Sequence, residues 1–338
     1  MEYIKLYLCG DVMIGRSFNK LFKNKPNYNI WGDTINIIKN GNFFGINLET
    51  TITEYNEKFP DKVFNFKLLP EYSKILKKGG VTYANIANNH ILDYKEKGLT
   101  DTISILDKLQ IQHSGAGIIT DSMRPAIFKI NNVTIGIVSA SDHPEEFKAN
   151  NNRKGINFMN INAIDKWNQY INSIIKVRPQ VDILIFSMHH GYNYVDNIPE
   201  NTIKFFHKLI DSGVDIIHGH SAHHVLPIDH YKNGYIFYSM GDFIDDYVVD
   251  KYYRNDLSFL AEINIVNKII DNIKIYPTKI TITVNDNDIL TPQVNLLDKS
   301  DPDYKLVITR TNYNAMNGGN NWKKKYMKYK KKINNLNY

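Results

Sequence analysis

The chain has 338 residues, long enough for one large α/β domain with appendages or for two small domains, and its 43% apolar and 22% charged residues are ordinary for a soluble globular protein with a sizeable buried core. The formal charge is +6, but residues 322–338 hold seven lysines and no acids; six positive charges less those seven leave the body at −1. The basic character is therefore that of a tail and does not extend over a nucleic-acid-binding face, so a nucleic-acid partner is not expected.

No run approaches the roughly 18 apolar residues of a membrane span, and the opening Met-Glu-Tyr-Ile-Lys passes into a strand without a basic leader. A soluble, cytoplasmic protein is the expectation, with weak membrane-surface contact open to the tail. The single cysteine, Cys9, lies in an apolar run and reads as a buried, inert thiol.

β-rich runs are expected at 3–9, 43–48, 81–87, 126–131, 133–140, 182–188, 214–218, 235–239, 258–266 and 269–276. Helical periodicity falls near 33–39, 71–78, 96–109, 162–176 and 199–212. Leu99, Ile103, Leu106 and Leu109 make one stripe, and Pro199 and Gly213 suit the start and stop of the last helix. Asn131-Asn132 reads as a hairpin turn, so the sheets should be mixed. Strands interleaved with helices argue for a layered α/β fold. The pattern weakens after about residue 277, which suggests a domain over 1–280, a peripheral extension over 281–321 and the tail over 322–338.

Short polar clusters sit where the apolar runs end, and open α/β sheets gather ligands outside the carboxyl ends of their strands. Asp11 follows the first run and precedes Arg16, whose guanidinium suits an anionic oxygen group. Glu49 ends the second run, where a charge is buried only if it is paired or holds a metal. Asn88-Asn89-His90 supplies amide oxygens beside a titratable ring, and Asp93 is placed to orient that ring. His189 and His190 end a later run, and only one of two neighbours on a strand can face a site. His218, His220, His223 and His224 put four imidazoles into seven residues of a chain with 11 histidines, a dense ligand set for Zn, Mn or Fe. Gly241-Asp242, with Asp245, Asp246 and Tyr247 beyond, adds acids that could orient the histidines or ligate. Missing cysteines exclude a zinc finger.

Taken together, GDVMIGR, INLETTIT, ANNHILDYKEKGLTDTISIL, SGAG, SMHHGYNY, HGHSAHHVLPIDHY, YSMGDFIDDY and YYRNDL occur in an order that resembles the CapA (poly-γ-glutamate capsule synthesis) family. That family lies within the calcineurin-like metallophosphoesterase superfamily, and the resemblance covers roughly residues 3–280. It implies two mixed β-sheets packed as a sandwich flanked by helices, with a metal site at the strand ends. By motif position, Asp11, Glu49, Asn89, His189, His220 and His223 are the implied ligands of one or two divalent ions (Mn, Fe or Zn). His90 is the implied acid or phosphate contact, with Arg16 and Asp93 beside it. His218, His224, Asp242 and Asp246 are expected to support the ligands or meet substrate. The chain departs from ordinary metallophosphoesterases in carrying Met13 where their Asp-x-His has histidine, Glu49 for a bridging Asp, and one extra residue between His220 and His223. The activity so implied is hydrolysis of a phosphoester, or of an amide in a poly-γ-glutamate or cell-wall-like polymer. The alternative is a non-catalytic, metal-containing component of polymer synthesis or export. The expected partner is an anionic polymer or a phosphorylated substrate; members of this family are often membrane-anchored.

Overall fold

The computed structural model describes residues 3–284 and 288–313; the lysine-rich tail lies outside the described residues. Two mixed sheets carry the fold. In the larger, strands run in the order Leu290–Leu296, Ile269–Val284, Leu257–Val266, Tyr3–Val12, Phe43–Leu48, Tyr83–Asn85 and Gln112–Ser114, and the short Asp242–Ile244 also pairs with Tyr3–Val12. In the smaller the order is Ile228–Tyr231, Gly234–Phe237, Ile216–His220, Ile183–His189, Val133–Ser141 and Ala126–Ile130.

The sheets pack face to face. Leu6, Leu8, Phe259 and Ile263 of the larger meet Ile135, Ile137, Ile185 and Ile216 of the smaller in one buried cluster. Helices cover the outer faces, because each strand buried on both sides needs an apolar partner on each. Leu99 and Leu106 of the helix Lys95–Lys108 pack with Phe44, Ile46 and Ala84 on the larger sheet. Trp167, Ile171 and Ile174 join Phe205, Phe206 and Leu209 over Leu184 and Phe186 on the smaller. The expected sandwich flanked by helices is the observed architecture.

The hairpin forms as the turn residues suggest: Ala126–Ile130 pairs antiparallel with Val133–Ser141, and Asn131 takes a positive φ of 55°. Around residue 280 the chain continues in a strand, and Leu290–Leu296 pairs with it to edge the larger sheet. The helix Pro302–Arg310 then docks through Asp303, which accepts from Arg254 at 2.8 Å and Lys279 at 2.7 Å. Cys9 is fully buried, and desolvation holds its thiol well above the ordinary range. Among the described residues no helix is long and apolar enough to cross a membrane.

Candidate metal centre

Register builds the site. Asp11 pairs in register with Asp242 on one side and Asn47 on the other, and Asn47 with Asn85, so four neighbouring strands present polar side chains at one level. In the smaller sheet His189 lies in register with Ser141 and His220. Two close backbone approaches permit this. A Cβ on Gly10 would lie 2.0 Å from Gly241 O, and one on Gly219 2.4 Å from Phe237 O. Past His220, Ser221 and His223 adopt positive φ values of 107° and 61°. That turn returns His223 to Asp242, where its Nδ1 lies 2.8 Å from Oδ1.

Two groups of three donors result, Asp11–His189–His220 and Asp11–His223–Asp242, with the ligand atoms of each within 4.8 Å of one another. Asp11 belongs to both. Its Oδ1 accepts from Asn47 Nδ2 at 2.7 Å and its Oδ2 from Ser221 N at 3.1 Å. His189 Nδ1 is 2.9 Å from His220 Nδ1, and His189 Nε2 is 3.0 Å from Asn89 Oδ1. Glu49 Oε1 is buried without a hydrogen-bond donor, 3.7 Å from His90 Nε2 and 3.8 Å from His189 Nε2. His90 Nδ1 bonds Asp93 Oδ2 at 2.7 Å, and Asp93 also receives Lys62 Nζ and Phe66 N.

Electrostatics favour a cation here. Burial raises the Asp11 carboxyl, partly offset by His223, Asn47 and Ser221 N. Burial, then the neighbouring Asp11 and Asp242, lifts Glu49 well above the carboxylate range, and burial does the same for Asp242. The imidazoles move the other way. Desolvation lowers His189, His220 and His223, and brings His90 down to about 4. Neutral imidazoles are ligands, and a divalent ion among three buried carboxylates supplies the charge that desolvation removes. The donor set of carboxylate, amide and imidazole, with an unsatisfied Glu49 oxygen, fits such an ion.

The remaining expected residues fall around this centre. His218 lies in the layer behind, bonded to Ser187 Oγ at 3.0 Å and Cys9 O at 2.8 Å. His190 points to the opposite face and bonds Tyr238 O at 2.9 Å. His224 turns away from the donors, its Nδ1 2.9 Å from Ala222 O and its Nε2 2.9 Å from Val195 O, so that its one N–H serves one of these carbonyls. Arg16 is at the mouth, 3.5 Å from Asp246 Oδ1, with its guanidinium over the rings of Phe66 and Tyr247. Asp246 thus meets Arg16 and Ser17 N. Asn88 donates to Asn47 Oδ1 and Leu48 O, knitting the two strand ends.

Several participants escape sequence reasoning. Asn47 Nδ2 lies within 3.5 Å of Asp11, Glu49 and His189 together, and Asn85 Nδ2 donates to Asn47 Oδ1 at 2.6 Å. Lys62 reaches in from a loop with no periodic pattern. Only the pairing register, which one strand does not reveal, could have singled out the two asparagines.

The family described as bacterial capsule synthesis protein PGA_cap matches residues 5–247. The chain belongs to that family. It is 30% identical over 248 residues to the PGA biosynthesis protein CapA of Bacillus subtilis, covering 72% of this chain and 64% of that one. It is 34% identical over 226 residues to a Mycobacterium tuberculosis protein named "Probable polyglutamine synthesis accessory protein", covering 64% and 60%. The chain thus spans about three-fifths of the length of these PGA_cap relatives. Among solved structures it is similar to a hypothetical protein of Thermus thermophilus, with TM-score 0.49, 9% identity and coverage of 81% and 98%. It is also similar to the NAD nucleotidase of Haemophilus influenzae, with TM-score 0.41, 10% identity and coverage of 91% and 56%. Likenesses of this size bear on neither activity nor substrate.

Proposed function

We propose that this PGA_cap protein is a metal-dependent hydrolase acting on a phosphoester, or on an amide bond of a poly-γ-glutamate or cell-wall-like polymer. The observation that carries the reading is the pair of three-donor groups joined through Asp11. Asp11, Glu49, Asn89, His189, His220, His223 and Asp242 would hold one or two divalent ions, Mn, Fe or Zn. When bound, such ions supply Lewis acidity and lower the pKa of water.

The chain's own groups do the rest. Asp93 accepts the Nδ1 hydrogen of His90 and leaves Nε2 facing the Glu49 side of the site. Neutral at rest, His90 would take at that Nε2 the proton released by the attacking water and pass it to the leaving group. Phe66, edge-on to the His90 ring at 4.4 Å between centroids, keeps water off its flank. Arg16 offsets negative charge developing on the substrate, held for that task by Asp246 and two aromatic faces.

The test is turnover of phosphoester and γ-glutamyl substrates by protein reconstituted with Mn, Fe or Zn. Replacing His220 with Ala should abolish it while the fold persists; a fully active variant would sink the assignment. Met13, buried where a metallophosphoesterase carries a ligand histidine, favours one second reading: a non-catalytic, metal-containing component of polymer synthesis or export. Metal and polyglutamate binding without turnover would select that reading.

A further inference from the structure

One hydroxyl at the mouth of the centre takes no part in these steps. Tyr247 stands where the chain leaves the site: Asp245 and Asp246 are buried, and Val248 is 92% exposed. The two acids fix the backbone there. Asp245 Oδ1 accepts from Tyr247 N at 3.1 Å, and Asp246 Oδ2 from Ser17 N at 3.1 Å. The half-buried ring is thus held between the donors and solvent.

The ring is packed from three sides. It stands nearly perpendicular to His223, at 5.7 Å between centroids, and to Phe66 at 5.9 Å, with the Arg16 guanidinium 5.5 Å from its centroid. Phe66 also borders His90 and Arg16, so Tyr247 shares one wall with both groups assigned to the substrate. Burial, then the charges of Glu49, Asp242 and Asp245, raise the phenol, which places its hydroxyl among the carboxylates of the centre. Other tyrosines of the fold give their hydroxyls to the protein. Tyr7 and Tyr276 donate to Glu262 Oε2, each at 2.9 Å, and Tyr28 donates to Thr291 O at 3.1 Å. The Tyr247 hydroxyl has no protein partner among the described residues. A hydroxyl so nearly enclosed normally finds one.

We propose that Tyr247 is a substrate-contacting residue whose O–H donates to an oxygen of the scissile group, phosphoryl or carbonyl. This rests on the hydrolase reading and deepens it. A phenol is a donor at neutral pH, and negative charge grows on that oxygen when water attacks either kind of group. Arg16 supplies charge there and Tyr247 a directed hydrogen bond. Because Asp246, the residue before Tyr247, holds the guanidinium, one turn of chain sets both contacts.

The test measures binding, so it does not depend on turnover. Full-length Mn-loaded protein is titrated with inorganic phosphate, a tetrahedral oxyanion, at neutral pH. Tyr247→Phe keeps the ring against Phe66, Arg16 and His223 and loses only the donor. The Kd for phosphate should rise about tenfold or more, as for other hydrogen bonds to a charged acceptor. Metal content should not change. Should that variant fail to fold, Tyr247→Gln and Tyr247→Met make the same comparison at like volume, with a donor and without one. The first should then bind phosphate the more tightly. An unchanged Kd in Tyr247→Phe, equal Kd values in the second pair, or a parent that binds no phosphate overturns the proposal. So does loss of metal from Tyr247→Phe, which would make the phenol a ligand. Turnover at the parent's rate in Tyr247→Phe would remove the contact and leave the hydrolase reading. Phosphate binding that depends on Tyr247, without turnover of any substrate, would do the reverse.

Discussion

At the level where the centre forms, the larger sheet presents Asp242, Asp11, Asn47 and Asn85 on four neighbouring strands, while the smaller presents Ser141, His189 and His220 on three. One row is acid and amide, the other hydroxyl and imidazole. Each would be costly if buried alone, the acids through desolvation and the amides through unpaired donors. Across the seam they complete one another. Asn47 reaches His189, Asn85 lies 3.3 Å from His220 Nε2, and Ser221 N meets Asp11. The loops after the strands exchange partners too: Asn89, from the acid side, meets His189, and His223, from the imidazole side, meets Asp242. The difference teaches that neither sheet carries a site of its own. The two donor groups come together only where the two sheet ends meet.

The largest effect should come from the residue that both donor groups share. Asp11→Asn removes a charge from each group, so metal content should fall at both, and any turnover should drop more than about a hundredfold, beyond the range typical of supporting residues. His220→Ala touches one group only and should leave part of the metal bound. Elemental analysis of the two variants after dialysis decides this; equal metal loss would break the two-group picture.

Next comes Asn47, which ligates nothing in the proposed set yet bonds members of both rows. Asn47→Ala should weaken metal affinity about tenfold to a hundredfold, the usual cost of losing a group that orients ligands. Competition with a chelator measures it. An unchanged affinity would mean that the rows are positioned by their strands alone.

This contrast also explains what could be read from the sequence. The central strands were legible because each is a continuous apolar run, and the acids and imidazoles were legible because each interrupts or ends such a run. Asn47 and Asn85 were not, since an asparagine inside a strand has no visible role until its neighbour across the ladder is known. Edge elements gave weak signals for a related reason. Leu290–Leu296 contains Pro292 and half-buried positions, and Pro302–Arg310 buries only Val307, so neither shows a full apolar stripe. The helix Ser17–Asn24 is eight residues long with three buried, too short for its period to stand out.

A smaller effect should follow from disturbing the strand contact and leaving every ligand in place. Gly10→Ala forces Asp242–Ile244 away from Tyr3–Val12, because Gly241 O occupies the space a methyl would need. The expected loss is about 2 kcal/mol of unfolding free energy, as for other overpacked sites. Metal affinity should weaken mainly at the Asp11–His223–Asp242 group, since Asp242 moves with its strand. Urea unfolding and metal counting together test this; a stable variant with both groups intact would show that the acid row tolerates a wider spacing.

The least effect is expected from a carboxylate that belongs to neither row and responds oppositely to its surroundings. Asp303 is depressed to about 2, first by its hydrogen bonds to Arg254, with Lys279 adding to the effect against a desolvation cost. Arg254 binds it through two nitrogens, at 2.9 and 2.8 Å. Since the folded state holds Asp303 ionised below its ordinary range, its contribution is fully present above about pH 4 and is lost as the pH falls toward 2. Asp303→Asn should therefore cost about 1 kcal/mol near neutrality, less than a fully buried pair because Arg254 keeps Asp256 as a second partner. The gap between parent and variant should close as acid is added through that window. Metal content should not change at all. If Asp303→Asn lost metal as Asn47→Ala does, the helix Pro302–Arg310 would be a third contributor to the centre, and the division of the site between two sheets would have to be redrawn.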